Sequence, residues 1–194
     1  MPLFSMAERM KKTNLSGRYA AAMYDFAVEQ HFEEDVFADM KLLRQVFSEN
    51  RELRVIIESP IMPAEKKEAI FKALFNGKVN DVTLQFLLLI LKKRREPSLG
   101  DIFENFIQIY YRRHNIKIAT ITTAVDIDDA LMEEIKHLLE EQTHSTILIN
   151  KVVNPKIIGG LIVHVDDFLF DGSIIGKINK LRAEFSHNIY QTSF

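Results

Sequence analysis

Two pairs of residues in this sequence have the spacing of metal ligands. Glu134 and His137, and again Glu184 and His187, stand three apart, which on a helix sets a carboxylate and an imidazole on one face. In ferritin-like di-iron bundles such E-x-x-H pairs bind metal together with bridging glutamates from two further helices. Here two strands and a hairpin are predicted between the pairs, whereas that architecture needs facing helices of one bundle. His137 also falls on the polar flank of its helix, away from the Leu131, Ile135 and Leu138 stripe. Surface spacing by chance accounts better for both pairs, and the histidines at 31, 114, 144 and 164 show no ligand spacing.

The span "IIGGLIVHVDDFLFDGSIIGKI", beginning at Ile157, offers two more chemistries. A phosphate loop of the G-x-x-x-x-G-K-[ST] type needs four residues between its glycines and a hydroxyl after the lysine, but "GSIIGKI" has three and then Ile178. A calcium loop needs alternating oxygen ligands, yet Phe168, Leu169 and Phe170 interrupt Asp166, Asp167 and Asp171. Turn chemistry uses every residue. Gly159 and Gly160 allow a bend before a strand, Asp166-Asp167 makes a tight turn, "FLF" returns, and Asp171-Gly172 turns the chain again. The Ser173 hydroxyl is then placed to accept the Gly176 N–H and cap the last helix. The basic run "KKRR" at 92 to 95 lacks interleaved aromatics and reads as a solvated helix end rather than a nucleic-acid patch. No cysteine is present, so thiolate nucleophiles and disulfides are excluded, and no G-x-S-x-G elbow occurs.

The elements that carry these residues change character once along the chain. From Leu15 to about Arg113 apolar residues recur at helical spacing. The first helix shows Leu15, Tyr19, Ala22, Met23 and Phe26 on one face, and the second, about 32 to 47, aligns Val36, Met40, Leu43 and Phe47. "RELRVIIES" is a short third, stopped by Pro60. A fourth starts near Pro63, carries Ile70, Phe71 and Leu74, and ends at Gly77. The fifth begins at Asn80 or Asp81 and ends in the cations of "KKRR", and the sixth carries Leu99, Ile102, Phe103, Phe106 and Tyr110. After Asn115, "IKIATITTAV", "TILINKVV" and "LIVHV" are β-branched and extended in character. Between the first two lies a helix with Asp128 as its expected cap, and the chain closes with one carrying Ile174, Ile178, Leu181 and Phe185. The expected fold is mainly α, a six-helix bundle over 14–115 followed by a small α/β domain over 116–194.

The chain has 194 residues, 47% hydrophobic, and its 27% of charged residues nearly cancel to a formal −2. A core for one or two domains is available, and no global field favours nucleic acid or anionic membrane. "MPLFSMAERMKK" lacks the apolar run of a signal peptide, so residues 1–13 are expected to form a short flexible tail. The longest apolar run, Phe86 to Leu91, is far too short to span a bilayer. It nevertheless covers the whole circumference of a helix, so something must cover it. Either the bundle surrounds it, or one side packs inward while the other lines a groove beside the first helix, whose alanines would let a foreign amphipathic helix approach.

"SGRYAAAMYDFAVEQ", "ESPIMPAEKKEAI", "FLLLILKKRREPSL" and "GGLIVHVDDFLFDGSIIGKINKL", in that order, resemble the delta subunit of rotary F-type ATP synthases, the relative of the mitochondrial oligomycin-sensitivity-conferring protein. The likeness runs from about Ser16 to Phe185, and the tail before Arg18 departs from it. It implies a non-catalytic stator subunit without cofactor, at the cytoplasmic face of a bacterial inner membrane. The helical domain would grip N-terminal segments of the head's alpha subunits, and the C-terminal domain would bind the b subunits of the peripheral stalk. The resemblance favours the groove between first and fifth helices, with Tyr19, Ala22, Met23, Phe26, Phe86, Leu87 and Ile90 as its expected contacts. Gly159, Gly160, Asp171, Gly172 and Ser173 are the expected structural motif. The competing readings are a metal-binding helical protein using the E-x-x-H pairs, and a nucleic-acid-binding adaptor.

Overall fold

A computed structural model describes residues 4–188, with side chains described over 15–183. The protein is mainly helical, with a four-stranded sheet toward its C-terminus, and it divides into two compact units, Met1–Arg113 and His114–Phe194.

In the first unit the chain runs α1 (Phe4–Glu29), α2 (Glu33–Glu49), α3 (Arg51–Glu58), α4 (Ala64–Phe75), α5 (Asp81–Lys92), a 3-10 turn (Glu96–Ser98) and α6 (Leu99–Arg113). Because α1 begins at Phe4, residues 4–13 are its first turns rather than the separate tail expected from composition. The helix ends in a Schellman turn. His31 takes a left-handed φ of 59°, and the N–H groups of His31 and Phe32 bond to the carbonyls of Val28 and Ala27.

Helix α6 is the hub, packing against both α1 and α2. Its Leu99, Ile102, Phe103, Phe106, Ile107 and Tyr110 repeat at i, i+3, i+4, i+7, i+8, i+11 and are all buried. The Tyr110 ring stacks on Phe37 of α2 at 3.8 Å, and Phe103 meets Phe47 edge-on at 5.3 Å. Each such side chain contributes about 1.5–3 kcal/mol by leaving water. In α4 the buried face is Lys67, Phe71 and Phe75, not the expected Ile70, Phe71 and Leu74, and Leu74 is 38% exposed. The stripe shifts because Lys67 turns inward to a buried partner, Glu96.

The second unit comprises β1 (Ile116–Thr123), α7 (Asp129–Thr143), β2 (Thr146–Val153), a 3-10 turn (Pro155–Ile157), β3 (Leu161–Val165), β4 (Phe168–Asp171) and α8 (Ile174–Asn188). The sheet order is β2-β1-β3-β4, with β1 and β2 parallel and the other two pairings antiparallel. Helix α7 supplies the crossover that a parallel pair requires. Ala119, Ile147, Val163 and Val165 form the core of one sheet face, with Leu139 of α7 packed against them. Asp128 stands at the N-cap position of α7, but its side chain makes no capping bond there.

Candidate functional site

Two helices of the first unit leave an apolar furrow open. Tyr19, Ala22, Met23 and Phe26 on α1, and Val82, Gln85, Phe86 and Leu89 on α5, line a groove of about 450 Å³. Both sets are spaced i, i+3, i+4, i+7, the pattern with which a helix presents one face to a neighbouring helix. Met23 lies buried at the floor, while Phe26 and Leu89 stand at 46% and 45% exposure. Ala22 is exposed and adds almost no bulk, so a visiting backbone can come close.

The sequence-based expectation named seven groove residues, and the structure brings five of them together. Leu87 and Ile90 are fully buried and face away from the furrow. At about 100° per residue they share the inward arc of α5 with Thr83, Leu84 and Leu91, which are buried too. Val82, Gln85 and Leu89 take their places. Their shared spacing with Phe86 was legible, and Asp81, Gln85 and Lys92, which share an arc of about 40° on α5, mark the outward side that the run Phe86 to Leu91 taken alone does not reveal.

The wall formed by α5 is fixed at both ends. At its start, Asn80 caps the helix by accepting the Val82 N–H at 3.0 Å. The buried carboxylate of Asp39, on α2, accepts from the Asn80 N–H at 2.8 Å and the Thr83 hydroxyl at 2.7 Å. Burial pushes the Asp39 carboxyl above its ordinary range, and those two hydrogen bonds pull it back only in part. At its end, "KKRR" forms a second Schellman turn: Arg94 adopts φ 54°, and the N–H groups of Arg94 and Arg95 bond to Leu91 and Ile90 carbonyls. The Lys67 Nζ to Glu96 Oε1 pair, 2.9 Å long and nearly sealed from solvent, ties α4 to the following connection. On the opposite wall, α1 is anchored by its buried Ala20, Met23, Tyr24 and Ala27, and Asn105 of α6 donates to Ser16 at 3.0 Å.

A second furrow on the same unit, about 460 Å³, lies among Leu42, Val46, Leu53, Ile56 and Leu74. No sequence pattern singled it out, since its residues come from three helices.

In the second unit the glycine-aspartate span is turn hardware. Gly160 has φ 77°, and a Cβ there would lie 2.4 Å from the Gly172 carbonyl oxygen. A Cβ at Gly159 would meet Ile174 Cδ1 at 2.7 Å. Gly172 N–H donates to Leu161 O, and Ile174 N–H to Gly159 O, so the bend and the start of α8 are stitched together. The Ser173 hydroxyl accepts from the Gly176 N–H at 3.0 Å, while Asp171 accepts from the Ser173 N–H and hydroxyl. Those bonds hold the Asp171 carboxyl below its ordinary range. Every one of these groups is satisfied within the motif.

The residues considered for metal do not converge. His137 Nδ1 sits 3.4 Å from Glu141, not Glu134, on the exposed side of α7. The side chains of Glu184 and His187 lie outside the described residues. Among the described residues no group of three or more His, Cys, Asp or Glu is placed to hold an ion, and no helix is long and apolar enough to cross a membrane.

Comparison with known proteins places the chain in a family. Residues 15–185 match the family model described as ATP synthase delta (OSCP) subunit. The chain is 34% identical over 180 residues to ATP synthase subunit delta of Cytophaga hutchinsonii, covering 93% of this chain and 98% of that protein. It is 33% identical over 165 residues to the Chloroherpeton thalassium protein of the same name, covering 85% and 90%. Among solved structures it is similar in fold to a chain of the Toxoplasma gondii mitochondrial ATP synthase hexamer, with TM-score 0.69, 19% identity, and coverage of 88% and 97%.

Proposed function

Because the chain belongs to the ATP synthase delta (OSCP) subunit family, a non-catalytic component of an enzyme complex, we propose that it links the catalytic head of a rotary, proton-translocating ATP synthase to the peripheral stalk. In this reading the six helices of the first unit act as one bundle that receives an N-terminal helix of an alpha subunit in the α1–α5 groove. The second unit holds the b subunits, and the protein works as a stator at the cytoplasmic face of a bacterial inner membrane.

The observation that carries this reading is the groove itself. Two facing stripes of identical spacing, with an exposed alanine between aromatic walls, have the form of a helix-in-groove receptor. A stator must resist repeated torque, and two moderate contacts on one chain achieve this through effective concentration better than either alone.

Calorimetry of the full chain against a synthetic alpha-subunit N-terminal peptide tests the head contact. Saturable one-site binding that Ala22→Glu weakens roughly tenfold or more supports the groove, and no binding by the unaltered chain refutes it. Co-purification of head and stalk subunits from a native membrane extract tests the link as a whole.

A further inference from the structure

Asn76 and Gly77, in the turn between α4 and α5, form a pair that the groove does not use. Asn76 is the C-cap of α4, with φ −59° and ψ 125°, and its N–H bonds to the Lys72 carbonyl. Gly77 takes φ 72°, a conformation that glycine adopts without strain. The next two N–H groups, of Lys78 and Val79, both bond to the Phe75 carbonyl and close the turn. One peptide plane between these anchors is left over. Among the described residues neither the Asn76 carbonyl nor the Gly77 N–H has a hydrogen-bond partner, and the Asn76 side chain has none either. Both residues are exposed, and a Cβ built on Gly77 would meet nothing within 4 Å, so the plane has room to turn and water reaches it freely.

That freedom matters because of the groups it brings within reach of each other. A side-chain amide stands one peptide bond from a backbone nitrogen that no side chain shields. On giving its proton to a solvent base, the Gly77 nitrogen can bond to Asn76 Cγ; the Cγ–Nδ2 bond then breaks, ammonia leaves, and a succinimide ring closes. Water reopens the ring at either carbonyl. Addition at Cγ leaves aspartate in an unaltered main chain, whereas addition at the main-chain carbonyl leaves isoaspartate, with the chain running through the former side chain. No electron is transferred, and water is the co-reactant.

The rest of the molecule withholds this chemistry elsewhere. Every other asparagine precedes a residue with a side chain, and in Asn154-Pro155 the nitrogen has no proton to give. The Asn80 side chain is engaged by the Val82 N–H, and that of Asn115 by the His144 carbonyl and the Ser145 hydroxyl. Asp171-Gly172 offers the same kind of nucleophile, but the Gly172 N–H donates to the Leu161 carbonyl at 3.0 Å. The Asp171 carboxyl, held below its ordinary range by hydrogen bonds from the Ser173 hydroxyl and N–H, stays ionised and is a poor electrophile. The fold thus closes one glycine pair and leaves the other open.

We infer that Asn76 is a deamidation site, converted through a succinimide with Gly77 into aspartate and isoaspartate. This inference goes beyond the stator reading and does not depend on it. Each event replaces a neutral amide with a carboxylate in the turn that leads to Asn80, the cap of α5, and the isoaspartyl product also lengthens the main chain there by a methylene.

The full-length chain is incubated at mildly alkaline pH and digested with trypsin, and the peptide from Ala73 to Lys78 is followed by mass spectrometry, with isoaspartate read by enzymatic methylation. The peptide is expected to lose its amide before any other asparagine-containing peptide, to yield two chromatographically separate acidic products, and to do so faster as pH rises. Gly77→Ala, which places a methyl group beside the nucleophile at a position where a Cβ meets nothing, is expected to fold and to slow the loss several-fold. Asn76→Asp is expected to show no further mass change in this peptide. An amide at Asn76 that outlasts those of other asparagines, isoaspartate arising first in the peptide from Ile157 to Lys177 that holds Asp171, or a rate unchanged in Gly77→Ala would each overturn the inference.

Discussion

Asp39 on α2 accepts a 2.7 Å hydrogen bond from the hydroxyl of Thr83 on α5, and both side chains are buried. The same carboxylate oxygen also accepts the Asn80 N–H, so one acidic group from a neighbouring helix fixes the first turn of the groove's α5 wall.

Asp39→Ala should therefore leave two buried donors without a partner and cost about 1–3 kcal/mol in chemical denaturation. Asp39→Asn keeps an acceptor oxygen without the buried charge and should cost far less. The pH dependence follows from the raised carboxyl. The native state holds its proton where the unfolded chain has released it, so this group's contribution is fully present on the acid side and is lost as pH rises through the folded value. Stability profiles of the native chain and Asp39→Asn should diverge in that window and run parallel above it.

Lys67 and Glu96 form another polar contact sealed inside the first unit, their side chains 4% and 8% exposed. Lys67→Met alone should destabilise by about 3–5 kcal/mol, because it strands the Glu96 charge. The double variant Lys67→Met, Glu96→Gln should recover most of that loss. A double-mutant cycle in urea checks it, and strictly additive effects would rule the coupling out.

Gly160 and Gly77 both have positive φ, 77° and 72°, but their surroundings differ. A Cβ at Gly77 meets nothing within 4 Å, so Gly77→Ala should cost only about 1 kcal/mol of backbone strain. At Gly160 the Cβ would collide with the Gly172 backbone, so Gly160→Ala should cost markedly more and Gly160→Val more again. Thermal melts of the two alanine variants give the comparison directly.

Arg94 occupies a left-handed helix-stop position where glycine is the usual residue. Arg94→Gly should stabilise the first unit by roughly 0.5–1 kcal/mol, read as an upward shift in the denaturation midpoint.

Ala22 and Leu87 separate the groove from the core. Ala22→Glu, at an exposed position, should fold normally and weaken binding of an alpha-subunit N-terminal peptide roughly tenfold or more. Leu87→Glu, at a position with no exposure, should unfold the first unit by burying an unpaired charge, seen as loss of helical circular dichroism.

Much of the architecture was legible in the chain. The switch from a 3.6-residue period to β-branched runs near Asn115 falls within two residues of the division at Arg113, because each backbone geometry imposes its own spacing on buried side chains. The Ser173 cap and the glycine turn at Gly77 were also readable, since each depends on atoms only a few residues apart. The start of α1 was not. Composition suggested a tail over residues 1–13, whereas α1 begins at Phe4 and passes through the capping-type residues Thr13, Asn14 and Ser16.

What the sequence determined by itself was which segments are apolar and with what period, and hence that α1 and α5 needed covering. What only the tertiary structure decided was which arc of each helix faces its own core and which faces out. That choice depends on partners far away in the chain: α6 behind α1, and Asp39 at the head of α5. The run Phe86 to Leu91, apolar around its whole circumference, is by itself consistent with every rotation about the helix axis. Packing against specific neighbours selects one, and in doing so it buried Leu87 and Ile90 and left Val82, Phe86 and Leu89 along the furrow.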